Sequence, residues 1–419
     1  MFRIATTVFA LLLLQGVGLG QGDTSNQEET IRTLAQQVKE LQEKVQKLEA
    51  ERSPQPAATG PIQTSSPPPE PAEAAPETAA AQASPPTHDH VMELPGGPQM
   101  HIRGFSDVDY VSTTQKGTTN SFYIGALDLF VTSKISERFS MLSEINFEAG
   151  DDNNIGIDLE RMMLTYTANE HFRLSFGRYH TAIGYYNTAY HHGTWFQTAT
   201  GRPYLFFFED QGGILPVHNV GLSLTGTIPS GAMGLNYIAE IGNGRPARAP
   251  QNTTVQNRFD ENNGKAFNLG LWSRPEQFSG LQFGASFYHD HLLPELTPRI
   301  QEYIPAIHVV YITPRFEWLN EGVLIRHTFD GGGRSFDTPG FYTQISHQWR
   351  RYRPYFRYQY VNASPLEPVI AYAGLQHGPS LGLRYDWSDF AALKVQYDHG
   401  FRRDIPDFDQ LDLQIAFTF

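Results

Sequence analysis

The sequence of 419 residues predicts an all-β fold: a 16-stranded antiparallel transmembrane β-barrel, preceded by a short periplasmic coiled coil and a Pro/Ala-rich linker. Three observations lead to this fold class. Apolar and polar residues alternate through the last 321 residues, 51 of the 53 aromatic residues lie there, and the final residue is Phe419. Strands with lipid on one face and water on the other alternate in this way.

The composition excludes several classes of protein. The chain holds 31 basic and 44 acidic residues, whereas a general nucleic-acid binder needs a basic surface. The absence of cysteine excludes disulfide scaffolds and thiolate chemistry. A mean hydropathy of −0.38 is still compatible with a barrel, because lipid-facing and water-facing residues average out.

Residues 1–20 have the features of a secretory signal peptide. Arg3 provides the positive start, residues 8–14 form a short apolar stretch, and residues 18–20 offer a small-x-small cleavage site. We therefore expect export of the chain and removal of this segment. The alternative is a retained N-terminal anchor.

The next two segments differ sharply in composition. Residues 27–52 follow a heptad, which predicts a coiled coil, with an amphipathic helix packed on its own domain as the alternative. Residues 53–98 hold 12 of the 28 prolines and bury too little apolar area to offset their ordering entropy, so we expect a disordered linker. The apolar heptad positions are Ile31, Leu34, Val38, Leu41, Val45 and Leu48.

Residues 99–419 carry the period-two pattern of a barrel. From Leu411 to Phe419 every odd position is large and apolar, and the even positions are polar or small. Tight turns alternate with longer connections, as in outer-membrane barrels, and a soluble β-sandwich is the alternative. The 16 predicted strands lie near residues 100–111, 120–133, 138–149, 157–168, 171–180, 218–227, 233–243, 265–274, 280–291, 302–314, 316–329, 340–351, 353–363, 379–388, 391–402 and 410–419.

The longest predicted connection, residues 181–217, follows the fifth strand. A segment of 37 residues without strand patterning is unusual in a compact domain unless it is functional. A barrel of 16 strands is too wide for side chains to fill and leaves an aqueous channel. We therefore expect the function to depend on this loop.

The start of the loop resembles a known family. Residues 173–184 read Arg-Leu-Ser-Phe-Gly-Arg-Tyr-His-Thr-Ala-Ile-Gly. This is similar to the Arg-x-x-x-Gly-Arg/Gln-x-x-Thr-Pro-Phe-Gly stretch of the phosphate-selective porins O and P, which often join a coiled coil to their barrel. Ala182 and Ile183 replace the usual Pro-Phe, and the barrel holds only four lysines, which argues against phosphate selectivity.

The resemblance implies a homotrimeric porin in the outer membrane of a Gram-negative-type cell, with the coiled coil in the periplasm. It also implies that the loop after the fifth strand folds into the lumen as a constriction. The terminal Phe419 resembles the signal read by the barrel-assembly machinery. The expected partners are the lipid bilayer, further copies of the chain and that machinery, and no nucleic acid.

The residues expected to line the pore come from the polar strand faces and the long loop. Opposed Arg and carboxylate side chains would create a transverse field, or they would pair with one another across the wall. The loop aromatics would contact solutes or pack the loop against the wall. The residues are Arg161, Arg173, Arg178, His180, Tyr185, His191, His192, Arg202, Glu209, Asp210, Glu144, Arg326, Arg357 and Arg384.

The leading functional hypothesis is a passive diffusion channel for small polar or charged solutes, without enzymatic activity, cofactor or metal site. One alternative is an outer-membrane anchor that engages periplasmic partners through the coiled coil. The other is a barrel-wall enzyme, for which Ser286, His289 and Asp290 would be a candidate set.

Overall fold

The computed structural model describes residues 90–92, 99–150, 154–190, 193–247, 259–295, 297–403 and 405–419. The predicted signal peptide, the predicted coiled coil and nearly all of the predicted linker lie outside the described residues. So do His191 and His192 of the long loop.

Sixteen strands, β2 to β17, form a barrel, and a short strand β1 precedes them. The predicted 16-stranded antiparallel barrel is therefore confirmed, and the coiled coil that belongs to the same prediction lies outside the described residues. The bounds are β1 His90–Met92, β2 Gln99–Thr113, β3 Ser121–Lys134, β4 Phe139–Ala149, β5 Ile155–Asn169, β6 Phe172–His180, β7 His218–Ile228, β8 Leu235–Gly242, β9 Ala266–Ser273, β10 Leu281–Leu292, β11 Ile300–Ile312, β12 Phe316–Phe329, β13 Ser335–His347, β14 Tyr352–Asn362, β15 Leu375–Asp386, β16 Ala391–Arg402 and β17 Phe408–Thr418.

Two strands begin four or five residues earlier than the sequence predicts, and each has a proline close to its predicted start. β13 begins at Ser335, and Pro339 lies in a stretch that pairs with β12 before the pairing with β14 starts at Gly340. β15 begins at Leu375, and Pro379 lies where the pairing with β16 is interrupted. A proline is tolerated wherever the missing N–H has no ladder partner.

The sheet closes on itself through its first and last long strands. Each strand pairs antiparallel with the next, and β17 pairs with β2 from Thr418 and Phe105 to Gln410 and Thr113. Phe419 and Gly104 then exchange two backbone hydrogen bonds of 2.8 and 3.0 Å. The even number of antiparallel strands brings both ends of the barrel to the same side.

The two faces of the wall have opposite polarity. On β17, Leu411 and Ile415 are 40% and 45% exposed, whereas Gln414 and Ala416 are 4% and 0% exposed. A soluble sandwich would bury the large apolar residues and expose the polar ones, so that alternative is wrong. The apolar outer belt is the surface that a barrel presents to lipid.

Connections alternate in length around the ring. Residues 135–138, 170–171, 313–315 and 387–390 form short turns, while residues 181–217 and 243–265 separate the strands at the opposite end. The described residues of the long loop include one α-helical turn, α1 Tyr186–Ala189, and three 3₁₀ turns. No helix in the described part of the chain is long and apolar enough to span a membrane.

Candidate functional site

The described part of the long loop, residues 181–190 and 193–217, lies inside the ring of strands. The N–H of Ala182 donates to Glu240 on β8 (3.0 Å), the N–H of Tyr204 to Gln359 on β14 (2.9 Å), and Gln414 on β17 donates to the Thr200 carbonyl (3.1 Å). The Phe196 ring reaches Phe105 on β2, with 4.8 Å between centroids. A segment that contacts the buried faces of strands from β8 round to β2 lies within the barrel.

Buried carboxylates hold the first part of the loop. Glu321 on β12 accepts the backbone N–H groups of Tyr185 (2.5 Å) and Tyr186 (3.0 Å), together with the hydroxyl of Tyr342 (2.7 Å). Glu317, four residues earlier on the same face of β12, accepts the hydroxyl of Thr198 (3.2 Å). Charge-assisted bonds of this kind are about twice as strong as neutral ones, so they fix the loop to β12.

Basic side chains hold the middle of the loop through its carbonyl groups. Arg384 on β15 donates to the carbonyls of Trp195 (2.5 Å) and Gln197 (3.0 Å). Lys394 on β16 donates to those of Thr194 (2.6 Å) and Ala199 (3.0 Å). The barrel wall thus binds N–H groups with carboxylates on one side and C=O groups with cations on the other.

The loop aromatics pack against each other and against the wall. Tyr186 stacks on Tyr190 and Phe206, with ring centroids at 4.4 and 5.5 Å, and Tyr342 of β13 meets Tyr186 edge-on at 5.9 Å. Burial raises the pKa of Tyr186 to about 12, so it stays neutral. Tyr186, Tyr190 and Phe206 are buried in this packing, and contact of the other loop aromatics with solutes stays a prediction.

Arg202 lies in the interior of the folded loop. Its guanidinium donates to the carbonyls of Phe206 (2.5 Å) and Tyr190 (3.2 Å) and lies 4.0 Å from the Phe208 ring centroid. Burial lowers the pKa of Arg202 from its usual value. The expectation that Arg202 lines the pore is therefore wrong, because its donors hold the loop backbone together.

The loop returns to the wall beside two histidines. Glu209 accepts the backbone N–H groups of Val217 (2.8 Å) and His218 (3.0 Å) and lies 2.9 Å from His218 Nδ1. Burial by itself would raise the pKa of Glu209, but His218 and these donors lower it below its usual range. Asp210 is half-buried next to Glu209.

In β6 the alternation of exposed and buried side chains changes along the strand, which brings polar residues to the buried side. Phe172 and Phe176 are exposed, whereas Arg178 and His180, at the same parity, are 4% and 5% exposed. Gly177, between Phe176 and Arg178, has a φ of +134°, which breaks the regular alternation. A Cβ on Gly177 would lie 1.9 Å from the Met162 carbonyl oxygen of β5.

Most of the remaining predicted pore residues form pairs with neighbouring groups. Arg161 lies 2.5 Å from Glu144, and both are on the buried side of the wall. Arg178 donates to the Glu160 carbonyl (2.9 Å), and Arg357 donates to the Gln344 side chain (2.8 Å). Arg173 on β6 is half-buried, and the side chain of Tyr185 is buried with its ring 5.9 Å from that of His308.

Arg326 does not lie on the buried face. Its side chain is 49% exposed and forms a two-pronged ion pair with Asp337 at 2.7 Å, while the adjacent His327 is buried. The prediction for Arg326 is wrong because residues 323–325 are all apolar, so alternation alone gives no phase there. Val323 and Ile325 belong to the core formed with the loop, which makes the odd positions the inner ones.

Sequence reasoning did not single out Glu317, Glu321, Glu160 and His218 as site residues. Glu317 and Glu321 are both at odd positions of β12, so the sequence alone indicates that they share one face of the strand. The loop residues that they hold are more than 100 positions away, and only the fold brings them together.

The barrel is similar to solved structures of outer-membrane proteins. An anion-selective porin from Comamonas acidovorans is 12% identical, with a TM-score of 0.55 over 77% of this chain and 100% of that chain. The outer membrane channel DcaP of Acinetobacter baumannii is 11% identical, with a TM-score of 0.54 over 78% and 99%. The trimer form of OmpT, an outer membrane protein of Vibrio cholerae, is 10% identical, with a TM-score of 0.52 over 77% and 100%.

These similarities show that the chain has the fold of the outer-membrane porins. No family model and no curated protein sequence matches the chain. The narrower resemblance to the phosphate-selective porins O and P stays a prediction.

Proposed function

We propose that this chain is an outer-membrane porin, a passive diffusion channel for small polar or charged solutes with a constriction formed by residues 181–217. The observation that carries the proposal is the placement of this loop, which is bonded to the buried faces of strands around the ring. The porin fold supports it, since a barrel of 16 strands is wide enough to conduct beside an inserted loop. The expected location is the outer membrane, with the barrel assembled as a homotrimer.

The channel should prefer cations. Among the described residues, 14 buried Asp and Glu stand against four buried Lys and Arg. Two of those four, Arg202 and Lys394, donate to loop carbonyl groups. An excess of carboxylates in the barrel wall and the loop lowers the free energy of cations in the pore beside them and raises that of anions.

The three candidate residues of the enzyme alternative do not share one face of β10. Ser286 and Asp290 lie on the buried face of β10, and Ser286 accepts the N–H of Gly184 at 3.1 Å. His289 has the opposite parity and stacks on Tyr303 with ring centroids at 4.5 Å. A base on the other face of the wall cannot activate the Ser286 hydroxyl.

Planar-bilayer recording of the purified, folded protein tests the proposal. We expect discrete conductance steps, and a reversal potential in a KCl gradient that shows cation preference. A folded barrel that gives no steps would leave the anchor hypothesis as the better one. Steps with an anion preference would keep the channel and contradict the charge argument.

A further inference from the structure

A carboxylate and two imidazoles meet at the neck of the loop, where it leaves and rejoins the wall. His180 is the last residue of β6, His218 is the first of β7, and the two are directly paired, with ring centroids at 4.9 Å. Glu160 of the neighbouring strand β5 places Oε2 2.6 Å from His218 Nε2. One potential ligand atom from each residue lies within 4.8 Å of the others, and all three residues are buried.

Groups of the loop contact the Nδ1 atoms of both histidines and orient their rings. His218 Nδ1 is 2.9 Å from the Glu209 carboxylate, and His180 Nδ1 is 3.2 Å from the Asn187 carbonyl oxygen. Histidines that bind metals through Nε2 typically donate their Nδ1–H to a carboxylate or a backbone carbonyl, which fixes the tautomer and the ring orientation. Here each histidine has one of those two partners.

The donor set and the charge fit a divalent cation. Two imidazole nitrogens and one carboxylate oxygen form a ligand set that binds zinc and leaves a fourth position open. With bonds of about 2.0 Å, tetrahedral ligand atoms lie roughly 3.3 Å apart, a spacing that modest side-chain rotations reach here. A charge of +2 balances Glu160 and Glu209, while the nearby Arg178 lies 3.9 Å from its own carboxylate partner, Asp158.

A second buried histidine also lies between two carboxylates, but its cluster does not include a second imidazole. His327 lies between Glu302, at 2.8 Å from Nε2, and Glu367, which bonds to Nδ1. Arg245 adds a cation at 3.1 Å from Glu302. This is a complete ionic cluster, so the feature that distinguishes the neck of the loop is His180.

We propose that Glu160, His180 and His218 form a binding site for a divalent cation of the zinc class, which fastens the two ends of the inserted loop to β5. This goes beyond the proposed channel function and does not depend on conductance. The site joins three adjacent strands at one level, so an ion bound there resists displacement of the neck.

The test uses full-length folded protein purified without a polyhistidine tag, loaded with Zn²⁺ and dialysed before its metal content is measured. We expect one Zn²⁺ per barrel in the wild type and in the matched control His327→Gln, and loss of that ion in His180→Gln and Glu160→Gln. Glu209→Gln should weaken Zn²⁺ binding about 10- to 100-fold, because it removes only the orienting partner. Each variant is checked for the heat-modifiable electrophoretic mobility of a folded barrel.

Two results of the Zn²⁺ measurement would overturn the site. One is a wild-type protein that retains no Zn²⁺, which would identify the cluster as a protonated histidine between two carboxylates. The other is equal retention by His180→Gln, which would mark the binding as adventitious. Co²⁺ added to the wild type gives a readout that needs no variant: intense visible d–d absorption is expected for tetrahedral coordination, and a weak octahedral spectrum contradicts the proposal.

Discussion

The Glu321 carboxylate of β12 accepts the backbone N–H of Tyr185 at 2.5 Å, although the two residues are 136 positions apart in the chain. Its other oxygen accepts the N–H of Tyr186 at 3.0 Å. One side chain of the wall thus satisfies two adjacent donors where the loop turns into α1. This contact attaches the start of α1 to β12.

Glu321→Ala should loosen the loop. It leaves two buried N–H groups and the Tyr342 hydroxyl without their acceptor, and each such group costs about 1–3 kcal/mol. We expect larger and noisier single-channel currents, together with a lower temperature of barrel unfolding on gels. Glu137→Ala, at a side chain that is 91% exposed, is the matched control. Unchanged current noise in Glu321→Ala would show that other contacts hold the loop.

Gly177→Ala should destabilise the barrel. The φ of +134° is strained for any side chain, and the added Cβ would collide with the Met162 carbonyl oxygen. Strain of this type costs about 1–3 kcal/mol before the collision is counted. The control is Gly117→Ala, since Gly117 has a φ of +86° but nothing within 4 Å of an added Cβ. Equal unfolding temperatures for the two variants would mean that the close approach of β5 has no effect.

Arg357→Met should increase the preference for cations. It removes one of the few positive charges on the buried face and releases the Gln344 side chain. The measurement is the reversal potential in a KCl gradient. Arg326→Met is the control, because that charge is half-exposed and pairs with Asp337. A shift of the same size in both variants would contradict the assignment of the two faces.

Deletion of residues 27–52 should leave single-channel conductance unchanged and lower the recovery of the oligomer. The reason is the predicted heptad, which would add a second contact between protomers outside the barrel. Mild native gels measure oligomer recovery, and bilayer recording measures conductance. An unchanged oligomer fraction would remove this role from the segment.

The sequence by itself determined the barrel, because lipid on one face and water on the other impose a period of two that neighbouring residues display. Residues 411–419 show the pattern without help from any other part of the chain. The same local signal located residues 181–217 as the longest connection between the strands of the barrel.

The tertiary structure alone decided which way several side chains face and what the loop touches. At Gly177 the alternation of inward-facing and outward-facing side chains in β6 is interrupted, and the apolar run at residues 323–325 does not reveal which way Arg326 faces. Assigning faces to alternate residues therefore fails at both places. The contacts of Glu321 with Tyr185 and of Glu160 with His218 join residues far apart in the chain. Such contacts depend on ring closure and strand register, and a single sequence records neither of them.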